Sequence, residues 1–418
     1  MNNFPKIKIL HLNVSDTSGG SSIAARRLNE IMSTSPKLSS KLLVIHKNTN
    51  IDNIISASKI TKLITRLSNY LNNLLCKYKI IDGSFSFGIF GSKFINKCLV
   101  EEADIIYLHW TNGGMLSLDG INKIILKNKP TVLFNHDMWY FTGGCHQSFN
   151  CKKYQTECRE CPFFTNTILQ NIIKKNHMKK INMFSNKNVY LISPSELFFK
   201  MCMSSSIAIK NNIFQIANIL DTDKYSPEVI ISNNKKVKVL YGAMGGPKNP
   251  YKGWLDFMYF AKTVNKKYEN RIEFGVFGYN FSVDELKSFN LTIQSYGIVN
   301  DEDELISIYR NHDVFLFPSN QESFGQTLFE AMSCGLVPIS YEVGAAPELI
   351  DDSKNGYLVK TGDKESLVDA FDKLMSRNIG NLKQNARRKI IDNFSKDILI
   401  SLHLNMIFNL YNNTKKNN

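Results

Sequence analysis

Two glutamates, Glu322 and Glu330, flank a stretch of chain whose residue types could bind a phosphate. The largely apolar run 313–318 stops at a proline and predicts a buried parallel strand, and residues 325–334 predict a helix that follows it. The first N–H groups of such a helix, together with its dipole, suit an anion. A separation of eight residues is a little over two helical turns, so both carboxylates would lie on one side of the element. They would then reach hydroxyl groups on either side of the phosphate, as in a sugar–diphosphate–nucleoside; the alternative is a solvated helix face.

The wider setting of these glutamates makes the pattern more specific. The phrase ESFG-x-T-x-x-EAM-x-x-G-x-P is followed by Gly344-x-x-Pro-Glu348 and by the sequence NGYL at 355–358. From about Val237 to Met375 the chain resembles the donor-binding signature of retaining glycosyltransferases of family four. The resemblance implies an α/β protein of the GT-B fold, with two Rossmann-like domains facing an inter-domain cleft.

The resemblance also implies a role for each part of this stretch. Glu330 would hold the ribose hydroxyls of the nucleotide, and Glu322 would hold hydroxyls of the transferred sugar. The N–H groups at the start of the helix would hold the diphosphate. The complete set of donor-binding residues that we expect is Gly19, Gly20, Lys252, Glu322, Ser323, Phe324, Gly325, Gln326, Thr327 and Glu330.

Lys252 lies beside a glycine at the start of a predicted helix that follows the strand 237–241. A lysine in that place acts as a point charge on a diphosphate, so Lys252 would neutralise charge on the leaving nucleotide. Members of the family commonly carry an arginine about six positions earlier, where this chain has Gly246, and Lys248 is the candidate replacement. Because side chains and the helix dipole supply the positive charge in the family, the resemblance implies no cofactor for catalysis.

A strand at 7–14, a loop with Gly19 and Gly20, and an amphipathic helix from residue 23 predict the first unit of a nucleotide-binding type of α/β domain. The loop is not a GxGxxG fingerprint, and a plain tight turn is an equal interpretation. In the resembled family, this loop faces the cleft near the donor phosphates and the acceptor. Both glycines are therefore candidate site residues.

Histidines follow two neighbouring predicted strands of the first domain. His109 comes directly after the strand 103–108, and His136 follows the strand 130–134 with Asp137 beside it. Such carboxyl ends are where α/β sheets bind ligands. His136 matches the family position that lines the cleft close to the transferred sugar, so we expect it to position the sugar or to handle a proton, and not to act as a nucleophile. His109 and Asp137 are expected on the acceptor side. The expected catalytic residues are His136, Glu322 and Lys252.

Four cysteines lie within 17 residues, in the pattern Cys145-x5-Cys151-x6-Cys158-x2-Cys161. The closing Cys-x-x-Cys has metal-ligand spacing, and four sulfurs can complete a tetrahedral site. We therefore predict a structural zinc ion that stabilises the loop 142–162, because a catalytic ion would need an open position. The alternatives are unligated reduced thiols or a pair that oxidises. Together with the preceding phrase HDMW-x-FTGG, the pattern also resembles one subgroup of the family, the bacterial exopolysaccharide transferases of the colanic-acid type.

The formal net charge of +14 is concentrated in the first half of the chain. Residues 1–220 contain 27 Lys and Arg against 12 Asp and Glu, whereas residues 221–418 contain 24 against 25. Such asymmetry indicates a polyanionic partner for the first half. No helix-turn-helix, RNA-recognition or zinc-finger spacing supports a nucleic acid. We therefore expect an anionic inner-membrane surface, where each exposed basic residue contributes about 1 kcal/mol.

The segment 59–79 repeats at helical spacing and is both leucine-rich and basic. Its apolar stripe consists of Ile60, Leu63, Ile64, Leu67, Leu71, Leu74 and Leu75. Lys59, Lys62 and Arg66 form a basic flank. One interpretation is a helix that packs on the domain; the other is a membrane-surface helix that brings the protein to a lipid-linked acceptor.

At 418 residues the chain is long enough for two domains. We predict an acceptor-binding domain over 1–220, a nucleotide-sugar-binding domain over 235–394, and a final helix in 395–418 that, by resemblance, crosses back to the first domain. No run of eighteen apolar residues exists, and the first residues lack a signal-peptide pattern. We therefore expect a cytoplasmic protein, peripheral on the membrane face, whose eight cysteines are reduced or metal-bound.

The combined expectation is a retaining glycosyltransferase. It would move a sugar from a nucleotide-sugar, most often a uridine-diphosphate sugar in this family, to a saccharide or undecaprenyl-diphosphate-linked acceptor in the synthesis of bacterial capsule, O-antigen or exopolysaccharide. A front-face substitution is favoured, because double displacement needs a carboxylate under the anomeric carbon and Glu322, the nearest candidate, is assigned to sugar hydroxyls. The alternatives are a nucleotide-sugar 2-epimerase of the same fold and a basic nucleic-acid-binding protein. A NAD-dependent dehydrogenase is disfavoured, since no GxGxxG follows a strand.

Overall fold

The structure, a computed structural model, describes residues 6–93, 95–208, 212–228 and 236–417, without the side chains of residues 270 and 417. The chain forms two compact units. The first comprises Met1–Ile219 and Leu399–Asn418, and the second comprises Leu220–Ile398. The predicted start of the second domain at residue 235 lies outside the described residues.

The first unit is built on a seven-stranded parallel sheet in the order β3-β2-β1-β4-β5-β6-β7. The strands are β1 (Ile7–Ser15), β2 (Leu38–His46), β3 (Ile54–Ser56), β4 (Ile105–Leu108), β5 (Thr131–Phe134), β6 (Val189–Ser193) and β7 (Ile213–Gln215). The helices are α1 (Gly20–Thr34), α2 (Lys59–Cys76), α3 (Lys97–Glu102), α4 (Leu118–Ile125), α5 (Thr167–Phe184) and α6 (Glu196–Ser204).

The second unit is built on a six-stranded parallel sheet in the order β10-β9-β8-β11-β12-β13. The strands are β8 (Val237–Gly242), β9 (Ile272–Phe277), β10 (Ile293–Ser295), β11 (Val314–Phe317), β12 (Val337–Tyr341) and β13 (Tyr357–Val359). The helices are α7 (Trp254–Tyr268), α8 (Val283–Ser288), α9 (Glu302–Arg310), α10 (Gln326–Ser333), α11 (Ala346–Leu349), α12 (Lys364–Met375) and α13 (Ile379–Phe394). A last helix, α14 (Lys396–Asn417), follows, and its residues from Leu399 onward belong to the first unit.

Both sheets reverse their strand order beside the first strand of the unit. In the first sheet the chain runs outward from β1 to β3 and then returns to the other side of β1 with β4. In the second sheet it runs outward from β8 to β10 and then returns to the other side of β8 with β11. Doubly wound sheets of this order bind ligands at the carboxyl ends of the strands, where the order reverses. The predicted α/β class with two Rossmann-like sheets is confirmed.

The central strands are buried on both faces, as the sequence pattern predicts for parallel sheets. Every residue of β4, β5 and β11 is buried. The helix predicted over 325–334 is α10, which begins one residue later because Gly325 adopts a left-handed conformation, with φ of 102°. That conformation favours glycine and fixes where the helix can start.

Helix α2 begins at the predicted residue, Lys59, but ends at Cys76, before the end of the predicted segment 59–79. It also lacks the orientation of a helix that packs through its leucines. Its buried residues are Thr61, Thr65 and Ser68, whereas Leu63 and Leu67 are exposed. The interpretation in which the apolar stripe packs on the domain is therefore wrong for the first three turns. No helix among the described residues has the length and apolar content needed to cross a bilayer.

Candidate active site

Lys252 and Glu322 meet at the carboxyl edge of the second sheet. Lys252 lies in the loop between β8 and α7, and Glu322 lies in the loop between β11 and α10. The Nζ atom of Lys252 lies 2.5 Å from Oε1 of Glu322. The two side chains therefore form a hydrogen-bonded ion pair at the point where the strand order reverses.

The contact between these two loops depends on Gly253. This residue has a φ of 68°, and a Cβ atom added to it would lie 1.8 Å from the carbonyl oxygen of Pro318 at the end of β11. Only glycine permits this approach of one backbone to the other. The N–H group of Asn320 also donates to the carbonyl oxygen of Tyr251, at 2.7 Å. The backbone thus brings Lys252 to the beginning of the Glu322 loop.

The start of α10 is held by a third loop, which follows β12. The N–H group of Ala345 donates to the carbonyl oxygen of Phe324 at 2.7 Å. A Cβ atom added at Gly344 would lie 2.5 Å from that same oxygen and 2.9 Å from Cβ of Glu322. Gly344 is therefore needed for close packing, which explains its place in the sequence motif. The two flanking loops thus hold the backbone between Pro318 and Phe324, which leads into the first N–H groups of α10 at the sheet edge.

Glu330 is a buried residue of α10, and its Oε2 atom accepts a hydrogen bond from the hydroxyl group of Tyr309 at 2.9 Å. Burial, followed by the charge of Glu330, raises the pKa of Tyr309. The alternative of a solvated helix face is wrong, since Glu330 is buried and Glu322 is paired. Tyr309 belongs to α9 and was not among the predicted site residues, because nothing in the local pattern of α9 distinguishes it from a core tyrosine.

The position where an arginine is common in the family is occupied by glycine for a local steric reason. Gly246 has a φ of 45°, and a Cβ atom there would lie 2.7 Å from Cβ of Tyr279. The predicted replacement, Lys248, has its Nζ atom 5.5 Å from the centroid of the Tyr279 ring, within cation–π range. Lys248 thus lies beside Tyr279, a residue of the loop after β9.

At the carboxyl ends of the strands in the first sheet, three histidines form a hydrogen-bonded chain. Nδ1 of His11, on β1, lies 2.9 Å from Nε2 of His109, which follows β4. Nδ1 of His109 lies 2.8 Å from Nε2 of His136, which follows β5. The structure brings the two predicted histidines together and adds His11, which sequence reasoning missed because a histidine inside a buried strand reads as core.

The histidine chain is electrically neutral at neutral pH. Burial lowers the pKa of His11 to about 3 and that of His136 to about 4, and burial together with the neighbouring histidines lowers the pKa of His109 well below 6.5. Nε2 of His11 has no partner among the described residues. Since an orphaned buried N–H group is rare, we assign the proton of His11 to Nδ1. His109 then accepts at Nε2 and donates from Nδ1, which leaves the proton of His136 on its own Nδ1.

Asp137 is engaged by its neighbours in the first unit. Its Oδ2 atom accepts from Nε1 of Trp110 at 2.9 Å and lies 2.6 Å from Nδ1 of His146. Burial by itself raises the pKa of Asp137, but the charge and hydrogen bond of His146 outweigh burial and hold the pKa below its usual range. Asp137 therefore fixes the orientation of Trp110 and His146, and its acceptor-side role stays a prediction.

The two glycines at the start of α1 differ in whether backbone conformation explains the absence of a side chain. Gly19 precedes the helix with a φ of 88°, which favours glycine. Gly20 opens the helix, and a Cβ atom added there would meet nothing within 4 Å. Packing within the protein thus does not explain Gly20, and the predicted contact of this loop with donor phosphates stays a prediction.

The four cysteines of the loop 142–162 line one small cavity of about 20 Å³, which they share with Ile173 of α5. Burial raises the pKa of Cys158 to about 12 and that of Cys161 to about 11, and it raises that of Cys145 further. Across the described part of the chain, no three His, Cys, Asp or Glu side chains are arranged to hold a metal ion. The arrangement therefore does not supply a metal centre by itself, and the structural zinc ion stays a prediction.

Comparison with known families gives one match, over residues 230–396, to the family described as "Glycosyl transferases group 1". Among curated relatives, the capsular polysaccharide biosynthesis glycosyltransferase CapM of Staphylococcus aureus is 25% identical over 53% of this chain and 61% of its own length. The UDP-Gal:alpha-D-GlcNAc-diphosphoundecaprenol alpha-1,3-galactosyltransferase of Escherichia coli is 22% identical over 50% of this chain and 58% of its own length. A third relative, N-acetyl-alpha-D-glucosaminyl L-malate synthase of Bacillus anthracis, is 29% identical over 27% of this chain, and the chain spans 30% of it.

Solved structures share the architecture over nearly the whole chain. HepE of Anabaena, in complex with UDP and glucose, has a TM-score of 0.64 at 13% identity and covers 96% of this chain and 99% of its own. TarM has a TM-score of 0.64 at 14% identity and covers 99% of this chain and 100% of its own. At such identities the likeness shows the fold alone, which is GT-B, and the family match covers residues 230–396, within the second unit.

Proposed function

We propose, from the membership of residues 230–396 in the glycosyl transferases group 1 family, that this protein is a retaining glycosyltransferase with a nucleotide-sugar donor. The family membership is what the sequence motif predicted. The donor that we propose is a uridine-diphosphate sugar, supported by a structural relative that carries UDP and glucose. The relative named for capsular polysaccharide biosynthesis supports a role in the synthesis of a bacterial surface polysaccharide.

The observation that carries the proposal is the Lys252–Glu322 pair beside the start of α10, at 2.5 Å. Departure of a nucleoside diphosphate from an anomeric carbon builds negative charge on the phosphate and positive charge on the sugar ring. A lysine ammonium has three donors, so Lys252 can bond to a phosphate oxygen while it keeps Glu322. Together with the N–H groups of α10, it would stabilise the leaving diphosphate by preorganised electrostatics.

The contacts of Glu322 in the second unit and the neutral state of His136 in the first unit are consistent with front-face substitution and not with double displacement. Glu322 is held by Lys252, so its carboxylate is engaged as the partner of a cation and as a candidate holder of sugar hydroxyls. His136 is neutral, since burial lowers its pKa to about 4, and a neutral imidazole can position a sugar hydroxyl by hydrogen bonding. In this scheme the leaving phosphate takes the proton of the acceptor hydroxyl, and the new glycosidic bond forms on the face from which the phosphate departs.

The acceptor that we propose is a saccharide carried on undecaprenyl diphosphate, at the cytoplasmic face of the inner membrane. The named substrate of the galactosyltransferase relative, a diphosphoundecaprenol-linked sugar, supports this class. The excess of 27 basic over 12 acidic residues in 1–220 supports an anionic membrane surface as the partner of the first unit. We propose no nucleic acid as a partner.

The proposal is tested by ligand-induced thermal stabilisation with a panel of nucleoside diphosphates. UDP at 100 times its Kd should stabilise the wild-type protein by about 2.7 kcal/mol. The variant Glu330→Ala should lose this stabilisation, whereas Glu304→Ala, which removes an exposed carboxylate on α9, should keep it. Equal stabilisation of wild type and Glu330→Ala would place the nucleotide elsewhere and remove the proposal. Protection by GDP in place of UDP would change the carrier but keep the donor site.

Two other functions are separated by simple measurements. A nucleotide-sugar 2-epimerase would convert its substrate without any acceptor, so product analysis with donor alone distinguishes it. A nucleic-acid-binding protein would bind duplex DNA in a salt-dependent way that Glu330→Ala does not affect. The comparisons favour neither, because the matching family consists of glycosyl transferases.

No step of the proposed reaction uses the cysteine loop. Because the four thiols surround one cavity, we propose that they bind a structural zinc ion, whose role would be to stabilise the loop. Metal analysis of the purified protein decides it: about one zinc per chain supports the ion, and a stoichiometry near zero excludes it.

A further inference from the structure

We propose that α2 is the surface through which this protein binds an anionic lipid membrane, with its leucine face among the acyl chains and its basic face on the phosphate head groups. The inference rests on the proposed function in one respect: a lipid-linked acceptor would lie at such a surface. The helix itself belongs entirely to the first unit, and its features can be measured without any donor or acceptor.

The amphipathic character of α2 is opposite to that of an ordinary surface helix. Its large apolar side chains face solvent: Ile60 is 73% exposed, Leu63 68% and Leu67 59%. Its buried side chains are small and polar, namely Thr61, Thr65 and Ser68. Isolated exposed leucines are common on soluble proteins, but a contiguous row of them indicates a partner.

The orientation of α2 is fixed by a close contact of its backbone with the loop that follows β4. A Cβ atom added at Gly114, which has a φ of 84°, would lie 2.5 Å from the carbonyl oxygen of Thr65 and 2.8 Å from the amide nitrogen of Asn69. Only glycine on the loop and small side chains on the helix permit this approach. The hydroxyl of Ser58 also accepts a hydrogen bond from the N–H group of Thr61, which caps the helix. Leucines could not replace the small residues on this face, so the apolar stripe remains outside.

Three faces of α2 carry three kinds of side chain. At about 100° per residue, the apolar, the buried polar and the basic residues point in directions roughly 120° apart. Lys62 and Arg66 therefore border the apolar stripe on the side away from the protein core. They line a groove of about 390 Å³ together with His46 and Gly113. A cationic groove beside an apolar stripe matches a lipid surface, where phosphate groups lie next to acyl chains.

Charge selects the membrane over a second copy of this chain as the occupant. Two copies that joined their leucine stripes would bring their basic flanks together. Residues 1–220 already hold 27 basic against 12 acidic residues, so the two copies would repel each other. An anionic leaflet has the complementary charge, and each basic residue near it strengthens binding about fivefold. Apolar exposure continues in the segment after the helix, at Tyr78 and Ile80.

The test is co-sedimentation of the full chain with vesicles, in the absence of donor and acceptor. Vesicles of phosphatidylcholine with about one third phosphatidylglycerol should bind the wild-type protein, and pure phosphatidylcholine should bind it far more weakly. The double variant Leu63→Ser/Leu67→Ser should bind about 100-fold more weakly, at roughly tenfold per exposed leucine. Lys62→Gln/Arg66→Gln should lose about 30-fold on the anionic vesicles alone. The matched control is Leu255→Ser, on α7 of the second unit, whose leucine is 80% exposed and should not affect binding.

Two results would overturn the proposal. One is unchanged vesicle binding by Leu63→Ser/Leu67→Ser. The other is a vesicle-free dimer in analytical ultracentrifugation that this double variant dissociates, since the stripe would then be an interface between two copies. Stabilisation by UDP, measured on the same variants, separates this inference from the proposed function. Loss of vesicle binding with UDP stabilisation intact supports the membrane surface. Failure of UDP to stabilise even the wild-type protein contradicts the proposed donor site and leaves the vesicle-binding result as the test of α2.

Discussion

The two sheets of this protein reverse their strand order in the same way, yet the side chains at the two reversal points differ in charge. In the first unit, the edge carries His11, His109 and His136, joined at 2.9 and 2.8 Å. In the second unit, it carries the ion pair of Lys252 and Glu322. Burial lowers the pKa of these imidazoles and outweighs the charge of Asp137 beside His136, whereas the second edge holds a salt bridge between a lysine and a carboxylate.

The difference suits the two edges to two kinds of ligand group. A diphosphate needs a fixed positive charge, which Lys252 and the start of α10 would supply in the proposed donor site of the second unit. Sugar and acceptor hydroxyl groups need hydrogen bonds without a competing charge, which neutral imidazoles can supply. The following predictions test whether the two edges really differ in this way, beginning with the largest effect.

Acid should destabilise the first unit far more than the second. The folded-state pKa is lowered to about 3 for His11 and His403 and to about 4 for His136, from 6.5 in the unfolded chain. Between pH 6.5 and these values the unfolded chain binds more protons, so stability is lost as pH falls, by up to about 1.4 kcal/mol per histidine and pH unit. The described part of the second unit has one such residue, His312, with a pKa of about 4.

Hydrogen exchange at pH 7, 5.5 and 4.5, corrected for intrinsic rates, measures this difference. Amides of β4 and β5 should lose protection before those of β11 and β12. Simultaneous loss in both units would show that the histidine chain does not govern acid stability.

Lys252→Ala should reduce kcat by about 100- to 1000-fold, as expected for removal of one preorganised charge partner of the leaving group. Lys252→Arg should retain part of the activity, because it keeps the positive charge. Lys360→Ala, an exposed lysine of the same unit, is the control and should leave kcat unchanged. Steady-state kinetics with a UDP-sugar donor provides the measurement, and an unaltered kcat for Lys252→Ala would contradict the assignment of charge to the second edge.

His109→Phe should destabilise the protein by about 3 kcal/mol, because it removes the buried hydrogen bonds that His109 makes to Nδ1 of His11 and to Nε2 of His136. The matched substitution is His403→Leu on α14. Neither ring nitrogen of His403 has a hydrogen-bond partner among the described residues, so its replacement should be neutral at pH 7 and stabilising below pH 6. Urea unfolding at pH 7 and 5.5 compares the two variants, and equal losses would show that the imidazoles act only by packing.

Sequence reasoning located both edges but not all of their members. The positions of His109, His136 and Glu322 after strands follow from apolar runs that stop at a polar residue or at a proline, and this is local information. His11 and Tyr309 became visible only in the fold, because each lies within an element whose pattern is that of core. Their partners are far along the chain, at 98 residues for His11 and His109.

The orientation of α2 shows the same limit more clearly. Its periodicity predicts an apolar stripe and a basic flank, but periodicity does not say which face of a helix contacts the protein. That choice depends on Gly114, a residue of another loop that admits the helix backbone only where Thr65 and Ser68 are small. Long-range steric contacts of this kind leave no trace in the spacing of the helix itself.

The smallest predicted effect concerns Gly20, and it tests whether the first edge also approaches the donor. A Cβ atom at Gly20 would meet nothing within 4 Å, whereas one at Gly344 in the second unit would lie 2.5 Å from a backbone oxygen. Gly20→Ala should therefore change the free energy of unfolding by less than about 1 kcal/mol, as is usual for a glycine replaced without strain. If the open space beside Gly20 is where a diphosphate approaches the start of α1, the same substitution should raise KM for the donor and leave kcat nearly unchanged. Wild-type kinetics in Gly20→Ala would assign phosphate binding to the second edge alone, and the glycine loop of the first unit would then be a turn.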